Sequence, residues 1–376
     1  MIDGDMKPRT CLLICCWLAG LVVGVVPGHG ATVRTWDGHF GGSWSNPNNW
    51  NPVGVPENGD DLIFQITAEQ PSPVRTMHND IVGLQIRKLF YCDDGWSLDG
   101  NELTLLDRMI GFITNTCNGS FTFFCPLELG DRAIIHSGKT LILRGNIDLN
   151  GNDLFLQSSD QMIVSGQIIG TGNIIATVYS FNDEHSKIVF DGPTGNTFSG
   201  KLTVRQAFGN GGEVVFDKQF GNVVNDALLI GDLDFFFASR AVCKLARSHQ
   251  IGDAAEVCVT GGSQFLLDGH TETIGSLCLT NNSPDTAATL VDTGGATLSV
   301  QGDIIAVNDA AGVIPTIKGK LGLPGPAPSG AKVQSAAASS STNRRTLRTA
   351  DVFALVPGNG RHSPSESPKQ ILQVTK

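Results

Sequence analysis

The stretch between Thr140 and Gly172 contains five short apolar runs: Thr140-Leu141-Ile142-Leu143, Asn146-Ile147-Asp148-Leu149, Asp153-Leu154-Phe155-Leu156, Met162-Ile163-Val164 and Gln167-Ile168-Ile169. Gly145, Gly151, Gly166, Gly170 and Gly172 punctuate them. A glycine takes a positive φ without a Cβ clash, so these five positions read as turns between β-strands. Within such runs apolar and polar residues alternate, as in Leu103-Thr104-Leu105 and Leu298-Ser299-Val300, which puts one face inside and one outside. The same texture extends outward from this stretch, back to Val33 and on to Gly322.

No amphipathic stretch with a capping start is long enough for a crossover helix, so the reading is all-β and not βαβ. A sandwich or barrel needs matched hairpins with two-residue turns, whereas here the strands are very short and the turns irregular. A solenoid whose coils each add short strands to a growing parallel stack fits better. With coils of roughly 22 residues rising about 4.8 Å each, about 13 coils would span on the order of 60 Å.

Composition agrees. Of 376 residues 45 are Gly, while only 16% are charged and 7% aromatic, which is poor material for helices. The net charge of −10 argues against nucleic acid as the main partner. The balance reverses past Pro324, where Lys332, Arg344, Arg345, Arg348, Arg361, Lys369 and Lys376 face only Asp351 and Glu366. That segment opens with Pro324-Gly325-Pro326-Ala327-Pro328-Ser329-Gly330, carries Phe353 as its sole aromatic, and is too poor in apolar residues to order itself. Asp351 to Val356 is a stray strand candidate within it.

At the other end Lys7 and Arg9 precede the apolar run Cys11 to Val26, and Pro27-Gly28-His29-Gly30-Ala31 follows. This is the pattern of a secretory signal peptide, with an uncleaved anchor as its rival, and no second run of spanning length follows. The expected organisation is a signal peptide over 1–30, an N-terminal cap over 31–64, a parallel β-helix over 65–322 and a disordered low-complexity tail over 323–376. Six cysteines lie beyond the signal: Cys92, Cys117, Cys125, Cys243, Cys258 and Cys278. Export permits disulfides, but no CxxC or Cys/His set suggests a metal, and some of the six are expected to be small buried apolar residues. Cys258 lies between Val257 and Val259 and Cys278 between Leu277 and Leu279, so both thiols are expected to face outward, on adjacent coils if a coil takes about 20 residues.

Two segments carry a family likeness. The first is Thr35-Trp36-Asp37-Gly38, Trp44-Ser45-Asn46-Pro47-Asn48-Asn49-Trp50, Val55-Pro56 and Gly59-Asp60-Asp61-Leu62-Ile63-Phe64. The second is Asn196-Thr197-Phe198-Ser199-Gly200-Lys201-Leu202-Thr203-Val204, followed by Ala227 to Gly231, Gln250 to Ala255 and Thr271 to Leu277. Together they resemble bacterial exported proteins with autotransporter-associated β-strand repeats. The resemblance covers roughly residues 33 to 305 and implies a right-handed parallel β-helix of the passenger kind, exported and surface-associated. Leu202 departs from the repeat's usual Thr, only one clear copy of the core is present, and no stretch of this sequence resembles the C-terminal barrel of an autotransporter.

Trp36, Trp44 and Trp50 read either as a cap over the first coil or as an aromatic platform for sugars. Asp60 and Asp61 beside Asn58-Gly59 suggest a Ca²⁺ turn or a plain solvated one. Parallel β-helices also host polysaccharide lyases and hydrolases, which need paired carboxylates across a cleft; Asp232 with Asp234 and Asp183 with Glu184 are candidates by spacing alone. His39, His78, His136, His185, His249, His270 and His362 form no metal or catalytic pattern. Asp268-Gly269-His270 reads as a turn, and Gly209-Asn210-Gly211-Gly212 has no following helix to cradle phosphate. The expectation is an exported structural or adhesive surface protein, secreted or at the cell surface, a rod without catalytic activity, cofactor or metal. Its partners would be surface polysaccharide or extracellular matrix. The alternative is a polysaccharide-active lyase or glycoside hydrolase.

Overall fold

A computed structural model describes residues 31–66, 73–110, 120–180, 186–207, 211–231, 238–281, 288–308 and 315–323, and the segments 332–337, 345–348 and 373–375. The expected signal peptide and the strand candidate at 351–356 lie outside the described residues. The described chain is almost wholly β, its one helical turn being Pro47–Asn49. Among the described residues no helix is long and apolar enough to cross a membrane.

The strands stack into two long parallel sheets. The second sheet runs through Thr76–Asn79, Trp96–Gly100, Phe121–Phe123, Thr140–Leu143, Gln161–Val164, Lys187–Phe190, Glu213–Phe216, Val242–Leu245, Gln264–Leu266, Leu290–Val300, Thr316–Gly322 and Gln373–Thr375. Twelve strands at about 4.8 Å extend on the order of 50 Å. The first sheet interleaves with it in sequence, from Val33–Trp36 through Ala133–Ser137, Leu154–Ser158, Ile174–Tyr179, Lys201–Ala207, Ala227–Ile230, Glu256–Thr260 and Ser276–Asn281 to Ile304–Asn308. Among the described residues only three pairings are antiparallel, the largest joining Lys332–Ala337 to Arg345–Arg348. Lys332–Ala337 also adds to Ile304–Asn308, so part of the sequence past Pro324 extends the sheets.

In-register parallel pairing stands each residue on its equivalent in the neighbouring strand, which turns the apolar alternation into continuous columns. In the first sheet Ala133, Leu154, Ile174, Leu202, Leu228, Val257, Leu277 and Ile304 form one such column. In the second, Trp96, Phe121, Leu141, Met162, Ile188, Val214, Cys243, Phe265, Val291 and Ile317 form another. All of these side chains are buried, and they belong to one core. The step between paired strands varies from 20 residues (Leu154 to Ile174) to 29 (Leu228 to Val257), wider than the uniform coil expected from sequence. The extra residues lodge in connections, where added length costs little.

Two of the five expected turn glycines serve another purpose. Gly151, Gly170 and Gly172 have positive φ, but Gly145 and Gly166 do not. These two are required by proximity: a Cβ on Gly145 would stand 1.9 Å from the Cys125 carbonyl oxygen, and one on Gly166 equally close to that of Gly145. Here segments about 20 residues apart in the chain touch backbone to backbone.

Candidate functional surface

At the head of the stack the three tryptophans are buried, so they do not form an open sugar platform. Trp50 meets Trp36 and Trp44 edge to face at 4.9 and 5.5 Å, and Trp44 stacks on Phe64 at 5.8 Å. Trp36 donates its indole N–H to Val74 O (2.8 Å) and Trp50 to Trp44 O (2.9 Å). Buried Asn49 ties the loop between them, donating to Gly41 O and Ser43 O and accepting from Phe40 N. The edge of Val33–Trp36 that does not face Asp60–Phe64 is paired at Thr35 and Trp36 with Trp50–Asn51, which covers half of the first strand's outer edge.

Asp60 and Asp61 are neither solvated nor free for a cation. Asp60 is buried against the Arg34 guanidinium at 2.5 Å, and Asp61 receives Arg87 Nε and its terminal nitrogen at 3.2 and 3.0 Å. Nearby, Asp80 binds both hydroxyls of Ser43 and Ser45 and the Ser45 N–H. Its modest burial works against the charge, yet these hydrogen bonds bring its carboxyl below the usual range.

The repeat-like segment has a mechanical role. Asn196 accepts from Ile168 N (3.0 Å) and donates to Val223 O (2.9 Å), clipping three successive coils through one buried amide. Phe198 enters the core, and a Cβ on Gly200 would stand 2.1 Å from the Gly172 carbonyl oxygen.

Outward-facing residues also stack. The first sheet stacks Ile134, Phe155, Ile175, Thr203, Leu229, Cys258, Cys278 and Ile305 on its side away from the core, with Ile175 and Thr203 themselves buried, so that the column reaches the surface on either side of them. The second presents Thr122, Ile142, Ile163, Val189 and Val215, and then Lys244, Leu266, Asp292 and Lys318. Charge on this side is spent in ion pairs between neighbouring coils: Lys187 with Glu213 (2.5 Å), Arg247 with Asp217 (2.6 Å), Lys244 with Asp268 (2.9 Å) and Lys318 with Asp292 (2.8 Å). The Lys318 ammonium lowers the Asp292 carboxyl, and the hydrogen bond to Asp268 raises the Lys244 ammonium. These carboxylates are neutralised one by one and do not converge on a common point.

Sequence reading missed a buried polar column at another corner. Lys218 is fully buried, its ammonium donating to Ser165 O (3.3 Å) and Gly166 O (2.9 Å). Gln250 accepts from Lys218 N and donates to Lys218 O, while its own N–H reaches Glu272 Oε2 at 2.7 Å. Glu272 Oε1 accepts from Thr273 N at 3.0 Å. Burial pushes the Lys218 ammonium down to about 8, against the pull of Asp191. Burial likewise pushes the Glu272 carboxyl up to about 7, against backbone N–H donors. An acid near neutrality is a chemist's tool only where substrate reaches it, and Glu272 is sealed inside. Its work here is to hold turns in register. Lys218, Gln250 and Glu272 stand 32 and 22 residues apart in the chain, so only knowledge of the variable coil could have grouped them.

Among the described residues the histidines remain separate. His39 bonds Asp37, and His78 bonds Asp99 at 2.7 Å. His136 packs against Tyr179 with its imidazole pushed down to about 4 by burial. His249 sits in a turn at φ 58°, and His270 closes the turn after Leu267. Asp183, Glu184, His185, Asp232, Asp234 and His362 lie outside the described residues, as do Gly209, Asn210 and Cys117. Cys92 is disulfide-bonded, whereas Cys125 and Cys243 are buried free thiols. Among the described residues no group of three His, Cys, Asp or Glu side chains is placed to hold a metal ion.

No family model matches the chain, and no curated protein and no solved structure matches it.

Proposed function

We propose that this chain is an exported structural or adhesive surface protein whose coils wind as a right-handed parallel β-helix, a rigid rod related to passengers with autotransporter-associated β-strand repeats. The observation that carries this reading is the outer column of each sheet. Side chains repeat at the strand spacing over many strands, and beside the second sheet Glu213, Asp217, Asp268 and Asp292 are each held in an ion pair with a neighbouring strand or turn. A periodic, rigid lateral face suits an extended partner, such as a surface polysaccharide or a matrix fibre, because each added rung adds the same small contact. A hydrolase would instead need two carboxylates held free across a cleft.

The test uses the purified full chain on a glycan array and on matrix-coated surfaces, with release of reducing sugar from acidic polysaccharides measured in parallel. Retention on an extended polymer, growing with polymer length and without sugar release, supports the rod. Turnover of any polysaccharide replaces this reading with an enzymatic one. Failure to bind any polymer removes the adhesive role.

A further inference from the structure

Cys258 and Cys278 are register partners in adjacent parallel strands, Glu256–Thr260 and Ser276–Asn281. Their neighbours Val257, Val259, Leu277 and Leu279 are buried in the core, so alternation turns both sulfurs to the outer face, where both residues are partly exposed. Both are free thiols. The rung spacing of about 4.8 Å lies inside the Cα range that a disulfide spans, roughly 4.4 to 6.8 Å.

We propose that Cys258 and Cys278 form a redox-responsive thiol pair that closes into a disulfide between adjacent coils by thiol–disulfide exchange. Three further observations support this. Cys278 is held below the ordinary thiol range by hydrogen bonds from the Cys258 thiol and from Thr280, whose hydroxyl lies 3.6 Å away, while Cys258 is held above it by the same shared proton. One sulfur is thus the nucleophile and the other the proton keeper. The column above and below is Leu229 and Ile305, which offer the pair no competing ligand. The other free thiols differ: burial pushes Cys125 up to about 12 and raises Cys243 well above the ordinary thiol value.

The exchange balances with a small-molecule disulfide such as oxidised glutathione. The Cys278 thiolate attacks one sulfur of the glutathione disulfide, forming a mixed disulfide and expelling a glutathione thiolate. Cys258 then gives up its proton and attacks Cys278 Sγ, expelling the second glutathione thiolate. Two electrons and two protons pass from the pair to glutathione, and one bond links the coils.

The experiment equilibrates the folded full chain across a series of reduced to oxidised glutathione ratios, blocks remaining thiols with an alkylating agent, and maps the peptides by mass. Cleavage after Phe265 separates the two cysteines, so a link appears as two joined peptides two hydrogens lighter than their sum. The expected result is joint loss of alkylation at positions 258 and 278 with appearance of the joined peptides, while Cys125 and Cys243 stay unmodified in the folded protein. In Cys258→Ser, Cys278 should accumulate the glutathione adduct and no link should form. Separate glutathione adducts on both cysteines of the unsubstituted chain, or thiols that stay fully alkylated in oxidised glutathione, would overturn the proposal.

Discussion

Gly166 lies directly over Gly145, so close that a methyl group on the upper residue would stand 1.9 Å from the lower carbonyl oxygen. No rotamer relieves such an overlap, because both partners are backbone, and the coils must separate to admit the extra carbon. Gly166→Ala should therefore destabilise the chain by at least about 2 kcal/mol. Val82→Ala, at a position 85% exposed, should stay within about 0.5 kcal/mol. Urea unfolding of the two variants decides, and a Gly166→Ala midpoint equal to that of the parent would refute the backbone contact.

Trp50 fills the space between Trp36, Trp44 and Phe64. Trp50→Ala should cost about 3 to 5 kcal/mol, as large aromatic deletions from packed cores do. Hydrogen exchange should show the loss concentrated in the first strands of both sheets, because each strand pairs only with its neighbours. Since the indoles are buried, soluble glucans should leave tryptophan fluorescence unchanged; a saturable shift would restore the sugar platform.

Arg34 and Asp60 are both buried, and each satisfies the other. Asp60→Ala leaves the guanidinium unpaired in the core and should cost about 3 to 5 kcal/mol. Adding Ca²⁺ should not raise the thermal midpoint of the parent chain through this turn. A calcium-dependent rise that Asp60→Ala abolishes would show that the arginine yields its place to a cation.

Glu272 gives a pH signature of definite sign. Its folded carboxyl titrates at about 7 against 4.5 unfolded, so the folded state holds the extra proton between those values. Stability should then fall as pH rises from 4.5 to 7, by roughly 3 kcal/mol if this group acted alone. Thermal midpoints of Glu272→Gln should lose that slope. A parent chain that gains stability over this interval while the variant does not would reverse the assignment.

Lys218 works in the opposite interval. Its ammonium titrates at about 8 folded and 10.5 unfolded, so the unfolded chain binds the extra proton and stability should rise with pH between the two. Lys218→Met should flatten that rise. An unaltered slope would mean that the amine keeps its charge despite burial.

Much of this was legible residue by residue. Strand alternation placed Cys258 and Cys278 outward and their valine and leucine neighbours inward, and the structure has them so. The tryptophans' size and apolarity favoured burial, yet only the packed head excluded the platform. Asp60 and Asp61 looked like a solvated turn because Arg34 and Arg87, 26 residues away from each, carry no local sign of being their partners. Gly145 and Gly166 look locally like turn formers, the usual reason for glycine, whereas what requires them is the backbone of a neighbouring segment.

By itself, then, the order of residues determined the β class, the shortness of the strands and which side chains face the core, because facing follows from a two-residue period that any strand obeys. The tertiary structure alone decided which residue stands on which. Stacking depends on the length of each connection, and loop closure varies so gently with length that coils of 20 and 29 residues coexist in one stack. The meeting of Lys218, Gln250 and Glu272, like that of Arg34 and Asp60, belongs to that second kind of information: buried charges are stable only once their partners arrive from other coils.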